Sequence, residues 1–492
     1  MLASVGDFMS ENDTKQNVFG ALIWKFMERG GIQIIQFVVS IIIARLLDPA
    51  AYGSVALITV FVSLATVFVQ SGLGTALVQK KDADSTDFSS VFYYSLTIAA
   101  FIYAVLFFTA GPIAQFYKMP DLKPVLRVMA LTLFPGAFNS IQVAVLSRKM
   151  QFKLQFYSGL LAAVISGAVG ITLAATSFGV WALVAQQLSY QVLICILLWF
   201  MVKWRPTLEF SFAKTKGLLK FGSKLLFSNL IDTLYHNIES LIIGKKHSES
   251  DLAFFSKGKQ FPLILIDNIN GSVQSVMFAA YSKEQDNLAK IKNMLRKTMA
   301  VNTYLVFPAM LGLAVVGKPL ILLVLGEKWL DCVVYLQVYC LLSMLMPMQT
   351  ANLQAINALG RSDVYVKIMI VKRLLGVALI FGAVFLFESP VAIAYAALIN
   401  EFISLLINII PNKKIIGYSA WELIKDTLPN LILAVIMAAA AVLAGYFIEN
   451  PVLKILAQMS AGVVSYLLVS IISGNKNFKY LKDLVIPKIF KK

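Results

Sequence analysis

Charge is scarce in this chain. Of its 492 residues only 14% are Asp, Glu, Lys or Arg, against about a quarter in an ordinary soluble domain. So little charge cannot keep a chain of this length in water, and a soluble globular enzyme is excluded. Cysteine is scarcer still. Cys195, Cys332 and Cys340 are the only three, with no Cys-x-x-Cys spacing, and they supply neither a disulfide framework nor a metal site. Histidine occurs twice, as His236 and His247. There is no His-Glu-x-x-His, no Gly-x-Ser-x-Gly and no paired Cys/His cluster, so no enzyme, metal or cofactor is expected. The stretch from Gly312 to Lys318 imitates a phosphate-binding loop, but Pro319 stands where a Ser or Thr is required. It also closes a hydrophobic run instead of joining a strand to a helix. The first fifteen residues are polar and hold no signal-peptide core, so insertion is expected to begin with the first membrane helix itself.

What the chain has in abundance is apolar length. It is 59% hydrophobic, with a mean hydropathy of +0.77, the composition of an all-α polytopic membrane protein. Spans need about 20 apolar residues each, and fourteen are predicted: 18–46, 52–78, 88–110, 123–146, 155–176, 179–201, 221–244, 252–280, 299–317, 332–358, 364–387, 391–410, 428–448 and 452–472. The formal net charge of +17 does not point to nucleic acid, because the basic residues lie between hydrophobic runs and form no patch on a folded domain. With the N-terminus inside and the spans alternating, the inside segments hold about 26 Lys and Arg and the outside segments about 8. The expectation is a multi-pass protein with both termini cytoplasmic. Two inside segments, 283–297 and the basic tail, have apolar stripes beside lysines. Each reads either as a helix lying at an anionic lipid surface or as a solvated linker.

The chain also resembles itself at an offset of about 200 residues. Phe19-Gly20 matches Phe221-Gly222, Ile41 to Arg45 matches Leu241 to Lys245, and Gln79-Lys80 matches Ser282-Lys283. Six spans separate the copies. An even number implies parallel repeats about an axis along the membrane normal. The expected organisation is an N-terminal lobe at 1–203, a basic linker at 204–220, a C-terminal lobe at 221–412, two appended spans at 413–473 and a basic tail at 474–492. A substrate path is expected between the two six-span lobes.

Two symmetry-related spans carry the polar residues. The seventh, from Phe221 to Lys245, places Asn229, Asp232, His236 and Glu239 within an arc of roughly 80°. The first places Lys25, Arg29, Gln36 and Ser40 on one face, with Glu28 and Gln33 at its edges. Ionisable groups at membrane depth usually face a bundle interior or a water-filled cavity. A hydrated cavity and a structural ion pair such as Arg29 with Glu239 both remain open. Further candidates are Asp267, Lys372, Arg373 and Glu401. Of the adjacent pair, Arg373 is taken as the cavity-facing one, since a guanidinium suits phosphate. Lys257, Lys259 and Lys367 lie near span ends and are expected to snorkel to the headgroups. Candidate ion-coupling residues are Asp232, Glu239, Asp267 and Glu401.

Five stretches carry a family likeness: IIIARLLDPAAYGSVAL at 41–57, QSGLGTALVQKKD at 70–82, LSRKMQFK at 146–153, KFGSKLLFSN at 220–229 and LVLGEKW at 323–329. With them the chain resembles the polysaccharide exporters of the multidrug/oligosaccharidyl-lipid/polysaccharide flippase superfamily, of the Wzx, colanic-acid exporter type. That resemblance implies twelve helices in two lobes plus two more. It also implies an inner-membrane flippase for undecaprenyl-pyrophosphate-linked oligosaccharide repeat units, working by alternating access. It further implies a cationic central cavity, to which Lys25, Arg29 and Arg373 would contribute beside the acidic Asp232 and Glu239. Implied partners are the lipid-linked substrate, membrane lipids, and a polymerase with its chain-length machinery; a monomer is expected. The alternative is an H⁺- or Na⁺-coupled drug or metabolite antiporter on the same architecture, for which the acidic seventh span speaks.

Overall fold

A computed structural model describes residues 11–70 and 72–489. Their regular structure is α-helical: α1 (Glu11–Leu46), α2 (Pro49–Gln70), α3 (Leu73–Gln79), α4 (Ser85–Tyr117), α5 (Leu122–Met129), α6 (Leu133–Arg148), α7 (Phe152–Ala175), α8 (Val180–Met201), α9 (Phe212–Lys246), α10 (Glu249–Ser282), α11 (Leu288–Val324), α12 (Cys332–Ala358), α13 (Ser362–Leu386), α14 (Pro390–Ile415), α15 (Ala420–Gly445), α16 (Pro451–Ile472) and α17 (Lys476–Ile489). Taking α2 with α3 and α5 with α6 as single spans, these follow the fourteen expected segments in order, with α17 as the tail.

Among the described residues, twelve spans are long and apolar enough to cross a membrane. The expected count of about fourteen is thus approximate by this criterion. The two helices that miss the criterion are α1, whose apolar part is confined to Gly30–Leu46, and α9. These are the two that carry the polar faces. A second expectation also changes. The segment 283–297 does not form a helix of its own on a lipid surface, because α11 runs unbroken from Leu288. Ile291 and Leu295 are fully buried against its neighbours.

Helix ends follow local chemistry. Asp84 and Ser419 close capping boxes with Asp87 and Glu422 at the starts of α4 and α15, satisfying amides that have no intrahelical partner. Pro390 and Pro451 open α14 and α16, where a missing N–H costs nothing.

By packing, the chain divides into two compact units, Met1–Ala253 and Phe254–Lys492. In the first, α1 packs on α7, α7 on α8, α6 on α8, and α9 on α2, α3 and α4. Gly159 and Gly167 of α7 lie directly against Ile32 and Val39 of α1, the small-residue contact that lets membrane helices approach without a hydrophobic driving force. In the second, α12 and α13 pack on α14, while α11, α15 and α16 pack on one another.

Each unit gathers its basic segments at one end. In the first, Arg148 donates to the carbonyls of Leu77 at 3.1 Å and Lys80 at 2.7 Å, and to that of Lys81. Lys214 pairs with Asp84 at 2.5 Å, and the Ser211 amide donates to Ser90 Oγ at 2.9 Å. Segments 79–85, 147–151 and 203–214 therefore share one end. The opposite end joins Ser54 Oγ to Glu249 Oε2 at 2.6 Å. In the second unit, Lys292–Glu422 at 2.8 Å and Arg296–Asp426 at 2.7 Å bring 288–297 and 418–426 together.

Candidate functional site

The first unit builds its site at a break in a helix. Gly72, between α2 and α3, has φ +66°, a conformation that penalises any residue with a Cβ. There is also no room for one, since it would sit 2.8 Å from Leu225 Cβ and 3.0 Å from the Gly222 carbonyl. α9 is thereby pressed against the break. Beside it lies a cavity of about 630 Å³, walled by Gln70 and Thr75 on one side, Ser140 and Ser147 of α6 on another, and Asn229 and Asp232 of α9 on the third.

Asn229 and Asp232 of the predicted α9 face therefore line one cavity of mixed polar and apolar wall. His236 and Glu239 lie further along the helix and outside its lining. His236 is exposed, with its ring edge-on to Tyr235 at 6.0 Å, and Glu239 is half-buried. On α1, Gln36 is half-buried and Ser40 Oγ donates to the Phe37 carbonyl at 2.8 Å. The side chains of Lys25 and Arg29 lie outside the described ones.

The second unit holds a polar seam between α12, α13 and α14. Gln349 of α12 donates through Nε2 to both the backbone carbonyl of Glu401, at 3.1 Å, and its carboxylate. Its Oε1 accepts from the Lys372 ammonium and, at 3.2 Å, from Asn408. One turn on, Asn412 Nδ2 donates to Asn352 Oδ1 at 2.8 Å. Several buried polar atoms of the seam have no partner among the described residues: Ser343 Oγ, Asn352 Nδ2, Ser404 Oγ and the Oδ1 atoms of Asn408 and Asn412. A buried donor or acceptor left this way costs about 1–3 kcal/mol.

The same clamp stands in the first unit without charge. Asn139 of α6 donates to the Gln191 carbonyl at 3.3 Å and to Gln191 Oε1 at 3.5 Å, and both residues precede Gln349 and Glu401 by 210 positions. Gln142 likewise precedes Asn352. At the same spacing, Ala162 stands for Lys372, Ile194 for Ser404, Leu198 for Asn408 and Val202 for Asn412. Thus a neutral, less polar seam in one unit is a more polar, ionisable one in the other.

Other sequence candidates fall elsewhere. Lys372, not its neighbour Arg373, reaches the clamp; Arg373 is half-buried on α13. Asp267 is exposed on α10. Lys257 does not snorkel as expected. It is buried, its ammonium 3.4 Å from Gln260 Oε1, while Lys259 lies over the Phe255 ring at 4.4 Å. Gln349 and the stripe Asn400, Ser404, Asn408, Asn412 are not among the sequence candidates, although the stripe sets four polar residues at i+4 steps in an apolar span.

Comparison with known proteins agrees with this architecture. Residues 42–334 match the family of polysaccharide biosynthesis proteins. The chain is similar to the succinoglycan biosynthesis transport protein ExoT of Rhizobium meliloti, 24% identical over 62% of each chain. It is similar to the teichuronic acid biosynthesis protein TuaB of Bacillus subtilis, 25% over 68% of each, and to the lipopolysaccharide biosynthesis protein WzxC of Escherichia coli, 23% over 72% of each. The match thus spans somewhat under two thirds of ExoT's length. Among solved structures, the lipid II flippase MurJ in an inward closed conformation aligns with a TM-score of 0.75 at 15% identity, over 94% of this chain and all of that one. An inward-facing multidrug resistance MATE transporter of the MOP superfamily aligns at 0.61 and 16% identity, over 79% of this chain and 96% of that one. The fold is that of these transporters.

Proposed function

The chain belongs to the polysaccharide biosynthesis protein family, and on that premise we propose that it is a flippase for lipid-linked oligosaccharides. It carries undecaprenyl-pyrophosphate-linked repeat units across the bacterial inner membrane by alternating access between its lobes. One observation carries the reading: a chain of this family has, over 94% of its length, the fold of a flippase. Its lobes are helices 1–6 and 7–12, both termini are cytoplasmic, and a polymerase acts on what it delivers. Lys25, Arg29 and Arg373 are assigned to the pyrophosphate, with Gln36, Asn229, Asp232, His236 and Glu239 on the sugar path. Asn229 and Asp232 are supported by the cavity they line.

A strain lacking the gene should accumulate undecaprenyl-linked repeat units, and the wild-type gene should clear them. Rescue undiminished by Arg29→Ala with Arg373→Ala would remove the cationic assignment. No accumulation at all would remove the flippase reading.

The ion-coupled alternative gains support from the charged seam. Of the coupling candidates Asp232, Glu239, Asp267 and Glu401, the last stands out, because it takes part in a clamp that the first unit builds with glutamine. Coupled transport would be abolished by Glu401→Gln and by uncouplers. Transport indifferent to both would sink this second reading.

A further inference from the structure

A groove of about 770 Å³ lies at the basic end of the second unit, between α11, α15 and α16 and beneath the start of α17. Its wall is apolar over several turns and includes Ala300, Pro429, Ile432, Leu433, Ile436 and Val469. Its mouth is cationic, with Arg296, Lys425 and Lys476 against a single carboxylate, Asp426. Arg296 is already committed: its Nε and Nη2 grip Asp426 at 2.9 and 2.7 Å, and the Tyr418 hydroxyl donates to the same carboxylate at 3.2 Å. Two exposed charges remain, Lys425 and Lys476. Neither has a carboxylate partner among the described residues, and Lys425 leans over the Trp421 ring at 5.4 Å.

Lys476 is held in place by an asparagine lattice. Asn430, fully buried, donates to the Ala300 carbonyl and to Thr303 Oγ1, both at 2.8 Å. Its own Oδ1 accepts from Asn475 at 3.3 Å and from Asn477 at 3.2 Å. Asn475 then caps α17 through the amides of Asn477 and Phe478. Both neighbours of Lys476 are thus tied to a residue inside the bundle, which fixes the lysine at the lip of the groove.

We propose that this groove binds one anionic glycerophospholipid, its phosphate between Lys425 and Lys476 and an acyl chain along the wall of α15 and α16. The charge pattern selects the occupant. A soluble anion has no use for the apolar wall, and a zwitterionic lipid has no use for two uncompensated cations. The proposal requires that the chain spans a membrane but is independent of its cargo.

The test uses the full-length protein in neutral detergent, titrated with phosphatidylglycerol or phosphatidylcholine while thermal unfolding and native mass spectra are followed. Phosphatidylglycerol should raise the melting temperature and appear as one retained lipid, and phosphatidylcholine should not. Each lysine near an anionic headgroup contributes about fivefold in affinity. Lys425→Gln with Lys476→Gln should therefore move the phosphatidylglycerol midpoint up by about 25-fold. Ile436→Trp, which fills the wall and leaves the cations, should also abolish the response, and it decides the matter if the double variant does not fold. Equal responses to both lipids, an unmoved midpoint in the variants, or a stronger response to undecaprenyl phosphate would each overturn the proposal.

Discussion

Lys372 and Glu401 occupy a position that the first unit fills with Ala162 and Gln191. The neutral version of the clamp is therefore known to pack. A double variant, Lys372→Ala with Glu401→Gln, should fold with a melting temperature close to wild type. Lys372→Ala alone leaves a carboxylate uncompensated among packed helices and should cost on the order of 3–5 kcal/mol. Thermal unfolding of the three proteins checks this, and equal losses in both variants would contradict it. A second residue tests the basic end. The Lys214 ammonium bonded to Asp84, with the Asp87 amide behind it, pulls the Asp84 carboxyl down to about 2, and the same bond raises Lys214 above the ordinary lysine value. A depressed carboxyl stabilises fully above its unfolded value of about 4 and loses that contribution as pH falls toward 2. A raised lysine stabilises below its unfolded value and loses that contribution as pH rises through the folded one. The pair therefore acts between about pH 5 and 10. In that window Asp84→Ala should cost about 1 kcal/mol through the lost cap. Asp84→Asn, which still caps, should cost less and should converge with wild type in acid, where the wild-type carboxyl is neutral as well, whereas Asp84→Ala keeps the loss of its cap.

At the scale of elements, the stretches that carry the family likeness turn out to be joints. Gly72 in 70–82 meets Gly222 and Leu225 in 220–229. Arg148 in 146–153 ties down the carbonyls of Leu77, Lys80 and Lys81. Gly53 in 41–57 lies so close to α10 that a Cβ would fall 1.8 Å from the Glu249 carbonyl oxygen. Gly53→Ala should force that backbone apart and lower the melting temperature by more than 5 °C, a loss of about 2 kcal/mol or more. Gly30→Ala, with nothing within 4 Å, serves as the control and should not lower it, since Ala is the better helix former. Twelve of the spans were legible because apolar length alone selects them. Their registers were not, because a contact such as Gln349 to Glu401 joins residues 52 apart and leaves no local trace. For the same reason the charges on α9 are the more legible in the sequence. They interrupt an apolar pattern, whereas Gln349 sits in a span that is apolar overall.

For the whole molecule, part of the chain's excess of basic residues gathers at one end of each unit, where α3, α6 and α9, and α11 and α15, come together. Reporter fusions after Lys81, Gly244 and Lys297 should report inside, outside and inside; any other order breaks the proposed topology. The clamp adds a constraint in time. Asn139 and Gln349 are each synthesised before the residue they will grip. At about 5–20 residues per second, those 52 residues take roughly 3–10 s to follow. Until then the amide must stay hydrated or borrow a partner from the insertion machinery. Chains that stall between those two spans would present a bare amide to lipid, a mark by which quality control could tell an unfinished lobe from a finished one.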